Sequence, residues 1–205
     1  MTCRTEPTKM PLRLAVTGHR DIDPGSQAIQ AAVCRELDRL VRENPDRSFA
    51  IASALAEGAD RMVAELAMQR LSASLTAVLP MPADQYEQDF AAAGSVGHFR
   101  KLLAGAGRVV ELPVLGDRLD RSRQYALAGA WLVGHCDVLL ALWDGRPPAG
   151  HGGTAEVVQW MVQGAAPPQL RLSEAGTDED LSPDRLLIHI HPGTGEVIRR
   201  TCRER

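Results

Sequence analysis

The residues best suited to chemistry in this chain gather behind three apolar runs. The most pronounced group is Gly150-His151-Gly152-Gly153-Thr154-Ala155-Glu156, which follows the run Val138 to Trp143 and opens a helical pattern. Small residues let an anion approach the backbone, and N–H groups left over at a helix start point toward it. Thr154 can add a hydroxyl donor or cap the helix, and Glu156, one turn in, is placed to accept a bond from a ribose hydroxyl. A glycine-rich turn with Thr154 as a plain N-cap would use the same residues. The upstream strand and the pair Pro147-Pro148 favour phosphate binding.

A second group, Thr17-Gly18-His19-Arg20, follows the first apolar run. Glycine there permits a tight turn and close ligand contact, Arg20 could bind a phosphate, and His19 could stack or donate. Equally, Gly18 could only make the turn, with Arg20 solvated or paired to Asp21. The third group is Glu57-Gly58-Ala59-Asp60. Asp60 would sit in the first turn of a helix, where the dipole favours a carboxylate with or without a ligand. Trp143 ends the fifth apolar run and could stack on a base or merely pack. Tyr86 and Tyr125 could line the same cleft.

Other patterns lead elsewhere. His189 and His191 share one strand face at a metal-binding spacing, but no third ligand lies nearby in sequence. Gly193-Thr194-Gly195 precedes no helix, and the chain lacks the G-K-[ST] of a P-loop. Cys136, at a helix end before a buried strand, reads as core. The residue pattern asks for no cofactor and no metal.

The elements that must position these groups follow from periodicity. Short apolar runs (Leu12 to Val16, Phe49 to Ala52, Leu75 to Leu79, Val109 to Leu112, Val138 to Trp143) alternate with amphipathic stretches, as in stacked βα units. Asp23-Pro24 reads as the start of the first helix, with Ile29, Val33, Leu37, Leu40 and Val41 on one face and Asn44-Pro45 as its stop. Two short helices are predicted between Ala83 and Ala104, broken near Gly94-Ser95, and a further helix over Arg121 to Gly134. Leu186 to Ile190 is a last strand, and Glu196 to Arg199 a short antiparallel edge. Ser173 to Asp184, acidic and poor in apolar residues, reads as a mobile surface loop. The expected architecture is a Rossmann-like three-layer α/β/α domain with a mainly parallel sheet. It forms a single domain over 1–205, with its core about 12–163 and edge strands about 186–199. In such folds ligands sit at the C-terminal edge of the sheet, where the strand order reverses.

Composition agrees with one globular domain. The chain has 205 residues, 44% hydrophobic and 24% charged, with a net charge of −3. That balance gives no reason to expect a nucleic acid or an anionic membrane as partner. No apolar run approaches the ~18 residues of a membrane span, and the N-terminus lacks the apolar core of a secretory signal. Cys3, Cys34, Cys136 and Cys202 are far apart; a reducing, cytoplasmic setting is expected, with Cys34 and Cys136 as buried thiols.

The set VTGHRD, SALAEGAD, AVLPMP and CDVLLALWDG followed by GHGGTAEVV resembles the SLOG superfamily, from about Leu12 to Val162. That group includes the LOG phosphoribohydrolases, the Smf/DprA proteins and the molybdenum-cofactor carrier protein. The resemblance implies a Rossmann-like fold that binds nucleotides or their derivatives, commonly as a homodimer. It puts Gly18 near the ligand, Gly58 and Asp60 in the second loop, and Gly152, Gly153 and Thr154 at the phosphate. Glu156 matches the glutamate of the enzymes' P-G-G-x-G-T-x-x-E motif with one residue fewer after the threonine. The enzymes also carry an arginine about nine residues before the aspartate that opens strand five. Counting back from Asp137 gives Ala128, and Ala126 to Gly134 holds no basic residue; Arg121 and Arg123 lie a turn or more upstream, leaving Arg20 as a substitute. The expectation is therefore a domain that binds or senses a nucleotide-derived phosphate ligand. The alternatives are a phosphoribohydrolase using Glu156 as acid/base group, or a molybdenum-cofactor carrier.

Overall fold

A computed structural model of the protein describes residues 10–114, 119–147, 151–172 and 181–203. Seven strands form one sheet in the order β4-β3-β2-β1-β5-β6-β7. They are β1 (Leu12–Gly18), β2 (Phe49–Ser53), β3 (Ser74–Leu79), β4 (Arg108–Glu111), β5 (Val138–Leu142), β6 (Asp184–Ile190) and β7 (Val197–Arg203). All neighbours pair in parallel except β6 and β7. The helices are α1 (Gln27–Glu43), α2 (Ala59–Leu71), α3 (Ala83–Tyr86), α4 (Ser95–Ala104), α5 (Arg121–Gly134) and α6 (Thr154–Gln163). The fold is the expected mainly parallel, Rossmann-like α/β architecture.

Both sheet faces are covered, and strand alternation sorts side chains between the two layers. Leu14, Val16, Leu140 and Leu142 join α1, α2 and α4 in one core. Ala15, Ala52, Leu139 and Ala141 join α5 and α6 in the other. Alanines on that second face let α5 lie close to the sheet. Each leucine buried this way contributes ~1.5–3 kcal/mol.

The chain builds outward from β1 through β2, β3 and β4, then returns to add β5 on the other side of β1. The reversal thus falls between β1 and β5, whose C-terminal ends diverge into the loops at Gly18 and Trp143. Asp137 fixes the opposite ends of these two strands. Its carboxylate, 3% exposed, accepts the Arg13 amide at 3.0 Å, Arg13 Nε at 3.2 Å and the Ser182 amide at 3.1 Å. Burial alone would raise its pKa, but these partners outweigh it and hold the group below the usual carboxylate range.

Three expectations are corrected. Asp23 does not cap α1; its carboxylate accepts the Gly25 amide at 2.8 Å in a local Asx turn, and the helix starts three residues after Pro24, at Gln27. The antiparallel edge runs to Arg203 instead of ending at Arg199. Polar residues hid the extension, yet Arg203 pairs with Asp184 of β6 at 2.8 Å and Cys202 is 3% exposed, while Arg199 lies between Glu36 and Glu43 of α1 (2.8 and 2.5 Å). Cys34 is only half-buried. Cys136 is buried as expected, beside the unexpectedly buried Arg185, which donates to the carbonyls of Cys136 (3.0 Å) and Gly164 (3.1 Å) and to Val133. Cys3 and most of the 173–184 loop lie outside the described residues. Among the described residues, no helix is long and apolar enough to cross a membrane.

Candidate ligand-binding site

A cavity of about 320 Å³ opens at the C-terminal ends of β1, β2 and β5. Its volume falls at the small end of the range of ligand sites. Thr17, Gly18, His19 and Arg20 line it from β1, and His151, Gly152, Gly153 and Thr154 from the α6 loop. Two of the three sequence groups therefore face one another, and the third contributes Asp60.

Close packing places the β1 loop. The Gly18 Cα faces α2 so tightly that a Cβ there would lie 2.3 Å from the Ala59 Cβ. The next amide, of His19, donates to the Leu142 carbonyl at 3.1 Å, extending the β1–β5 ladder. The His19 imidazole turns to the β5 loop, where its Nε2 accepts the Asp144 amide at 3.2 Å. Arg20 holds its guanidinium 5.0 Å from the centre of the Tyr125 ring. Burial disfavours its charge, but Tyr86, Tyr125 and Asp60 outweigh that and push the pKa up, so Arg20 is a permanent cation at the cavity rim.

The α6 loop is shaped by α5. Gly152 has φ +79°, and a Cβ there would sit 2.7 Å from the Ala126 amide nitrogen, so only glycine fits. Its amide donates to Glu156 Oε2 at 2.5 Å, and His151 Nδ1 lies 3.4 Å from Glu156 Oε1. Gly153 is the N-cap of α6. Among the described residues, the amides of Gly153, Thr154 and Ala155 meet no acceptor. Gly150 lies outside the described residues.

Helix α5 supplies the facing wall through Tyr125, Ala128, Gly129 and Leu132, a spacing that puts them on one helical stripe. None is cationic. Ala128, where the enzymes of the resembled group would carry arginine, lies in this wall. Arg121 instead pairs with Asp89 at 2.6 Å, and the Tyr125 hydroxyl donates to the same carboxylate.

The remaining wall comes from the loop after β2. Asp60 is 5% exposed, and the amide of Ala56 reaches its Oδ2 at 3.4 Å. Burial pushes its pKa up to about 7, against the pull of that amide, Arg20 and Arg61. Next to it Tyr86 is fully buried, and its hydroxyl has no hydrogen-bond partner. Burial and the Asp60 carboxyl raise the phenol pKa, so it stays a neutral donor.

This loop carries backbone strain. Leu55 has φ +56°, a left-handed conformation that costs ~1–2 kcal/mol for a residue with a Cβ. Its amide donates to Ser53 Oγ at 3.0 Å, and its carbonyl accepts Arg61 Nε at 2.8 Å. Arg61 is 4% exposed and also donates to the Ser95 carbonyl (2.9 Å) and hydroxyl (2.7 Å). Phe90 covers it at 4.4 Å. Sequence reading missed Arg61; the available signal was a charge inside the apolar stripe of α2, next to Met62 and Val63.

Three candidates do not line the cavity. Glu156 turns back to brace its own loop. Trp143 donates its indole N–H to the Arg146 carbonyl at 3.0 Å and tilts against His189 at 5.3 Å. Gly58 faces a neighbouring groove of about 560 Å³, reached from the other side of Arg20. His189 Nε2 lies 2.7 Å from the Trp143 carbonyl oxygen, and His191 Nδ1 accepts the Gly193 amide at 3.1 Å.

The chain is similar over part of its length to a solved structure. The crystal structure of TM1055, a structural genomics target, matches with a TM-score of 0.41 and 14% identity, over 74% of this chain and 68% of that one. No protein-family model matches the chain, and no curated protein matches it.

Proposed function

We propose that the cavity binds a nucleotide or a nucleotide-derived phosphate ligand, and that the protein acts by binding or sensing it. The observation that carries this reading is the convergence on one cavity of the α6 N-terminus, with Gly153 and Thr154, and the permanent cation of Arg20. Helix-start amides suit the phosphate of a monoester, and the Arg20 guanidinium lining the same cavity adds the positive charge that draws an anion in. The site also lies beside the strand reversal between β1 and β5, where ligands of such sheets collect. The SLOG-like motifs point the same way, since Gly152, Gly153 and Thr154 of the last of them line this end of the cavity.

Binding is favoured over N-glycosidic cleavage by two features. Glu156, the motif's carboxylate, is engaged by the Gly152 amide and does not border the cavity. The α5 wall offers Ala128 in place of a phosphate-holding cation. Cleavage needs a carboxylate to activate water and a cation on the phosphate, both at the ligand.

The test is a thermal-shift and calorimetric screen with AMP, GMP, ribose 5-phosphate and inorganic phosphate, combined with an assay for released base. A ligand at ~100 times its dissociation constant adds ~2.7 kcal/mol to stability. Saturable binding without base release supports the proposal. Absence of binding by every phosphate compound rejects it.

A further inference from the structure

We infer that the Asp60 carboxyl and the Tyr86 hydroxyl form a donor wall that recognises the non-phosphate half of the ligand, so that the preferred ligand is a phosphate monoester carrying a ring with carbonyl or ring-nitrogen acceptors. This rests on the phosphate reading of the α6 end. It goes further by naming what the opposite end selects: a neutral acceptor, and not a second anion.

The geometry begins with the sheet. Asp60 follows β2, whereas the α6 loop follows β5, and β1 runs between them. Two strand spacings separate the walls, ~10 Å. A free phosphate held at Gly153 therefore does not reach Asp60, and a ligand that occupies both ends must carry a ring beyond its phosphate. The space between is lined by apolar side chains, Val16, Ala54, Ala56, Leu132 and Val157, which suits the face of a ring.

The chemistry of the far wall is unusual. Both of its polar side chains are more than nine-tenths buried, and neither has a strong protein partner. Asp60 has one amide contact at 3.4 Å, and the Tyr86 hydroxyl has none. Unpaired buried polar groups are costly, and a ligand that supplies the missing acceptors recovers that cost. The groups facing Asp60 are Arg20 from the β1 loop, Arg61 from α2, Tyr86 from α3 and the Ala56 amide from the β2 loop. Two cations nearby do not keep the carboxyl ionised, because burial outweighs them. Below neutrality it carries a proton to donate, as Tyr86 does over the same range.

The experiment measures AMP, ribose 5-phosphate and inorganic phosphate affinities at pH 6 and pH 8 in the wild type, Asp60→Asn and Tyr86→Phe. The phosphate's own titration near pH 6 is common to all proteins and cancels between them. Asparagine donates at every pH, so the wild type should lose about tenfold more AMP affinity than Asp60→Asn from pH 6 to pH 8, the fall in protonated fraction of a group titrating near 7. Tyr86→Phe should weaken AMP about fivefold and leave inorganic phosphate affinity as it is. AMP affinity that tracks Asp60→Asn at both pH values, or that tightens toward pH 8, overturns the inference. So does phosphate binding with no AMP preference, which leaves the phosphate reading intact. Failure of all three probes removes both. If Asp60→Asn does not fold, Tyr86→Phe and a carbon-13 NMR titration of Asp60 in the wild type decide the matter. A carboxyl that titrates near 4 in the folded protein overturns the donor role.

Discussion

Glu156 Oε2 accepts the Gly152 backbone amide at 2.5 Å, so the acid of the glycine-rich motif closes its own loop. The contact spans one helical turn and satisfies an amide that would otherwise compete for an anion. It leaves the amides of Gly153, Thr154 and Ala155 as the helix-start donors without an acceptor among the described residues. Glu156→Gln keeps an acceptor in reach of Gly152. AMP affinity by calorimetry should therefore stay within about threefold, whereas Glu156→Ala should cost ~1 kcal/mol of stability, as for other lost helix-start contacts. An affinity loss of a hundredfold in the glutamine variant would place the carboxylate on the ligand.

Asp60 makes stability depend on pH in a defined window. Its folded pKa of about 7 lies above the ~3.9 of an unfolded aspartate. Between those values the unfolded chain gives up a proton that the folded protein retains, so stability falls as pH rises from about 4 to about 7, then levels. The contribution amounts to ~4 kcal/mol when complete. Urea denaturation at half-unit pH steps should show this slope, and Asp60→Asn should flatten it. Asp137, held below the usual range, acts with the opposite sign: its stabilisation is present above ~4 and is lost as pH falls further, so the two effects separate.

Arg61 holds the strained turn at Leu55. Truncating it strands the Leu55 carbonyl in a buried setting, where an unpaired group costs ~1–3 kcal/mol, and removes the two bonds to Ser95 that tie α2 to α4. Arg61→Ala should lower unfolding free energy by ~3 kcal/mol or more. Arg61→Lys should recover little of it, because one ammonium cannot copy the fork of the guanidinium. Full recovery by lysine would show that charge alone matters there.

Gly18 marks the closest approach of β1 to α2. In Gly18→Ala the new methyl would meet the Ala59 Cβ at 2.3 Å and Leu142 at 3.0 Å, and overpacking of this kind costs ~1–3 kcal/mol. The double variant Gly18→Ala with Ala59→Gly should regain part of the loss. Additive losses in a double-mutant cycle would place the strain elsewhere.

Much of the architecture was legible in the chain itself. Short apolar runs between amphipathic stretches marked the strands, and the bounds of α5 coincide with its apolar pattern from Arg121 to Gly134. The same periodicity, with alternating β and α elements, implied that the loops after β1, β2 and β5 share one edge of the sheet. Local chemistry misled where a side chain had two competing uses. Asp23 could cap a helix or close a turn, and Gly25 two residues later decided for the turn. The antiparallel edge was legible to Arg199, but its extension to Arg203 was concealed because Arg203 finds its partner, Asp184, across the sheet on β6.

Residue types and spacing by themselves determined a Rossmann-like sheet and the loops from which a site would be built. Only the tertiary structure decided which side chains enter the cavity. Glu156 turns to Gly152, Trp143 to Arg146, and Asp60 is sealed beside Tyr86 between α2 and α3. The physical reason is that side-chain direction and burial are set by packing between elements distant in sequence. Spacing records the period of each element and nothing of the neighbours that cover it. The raised pKa of Asp60 is a property of that covering, and no reading of Glu57-Gly58-Ala59-Asp60 alone contains it.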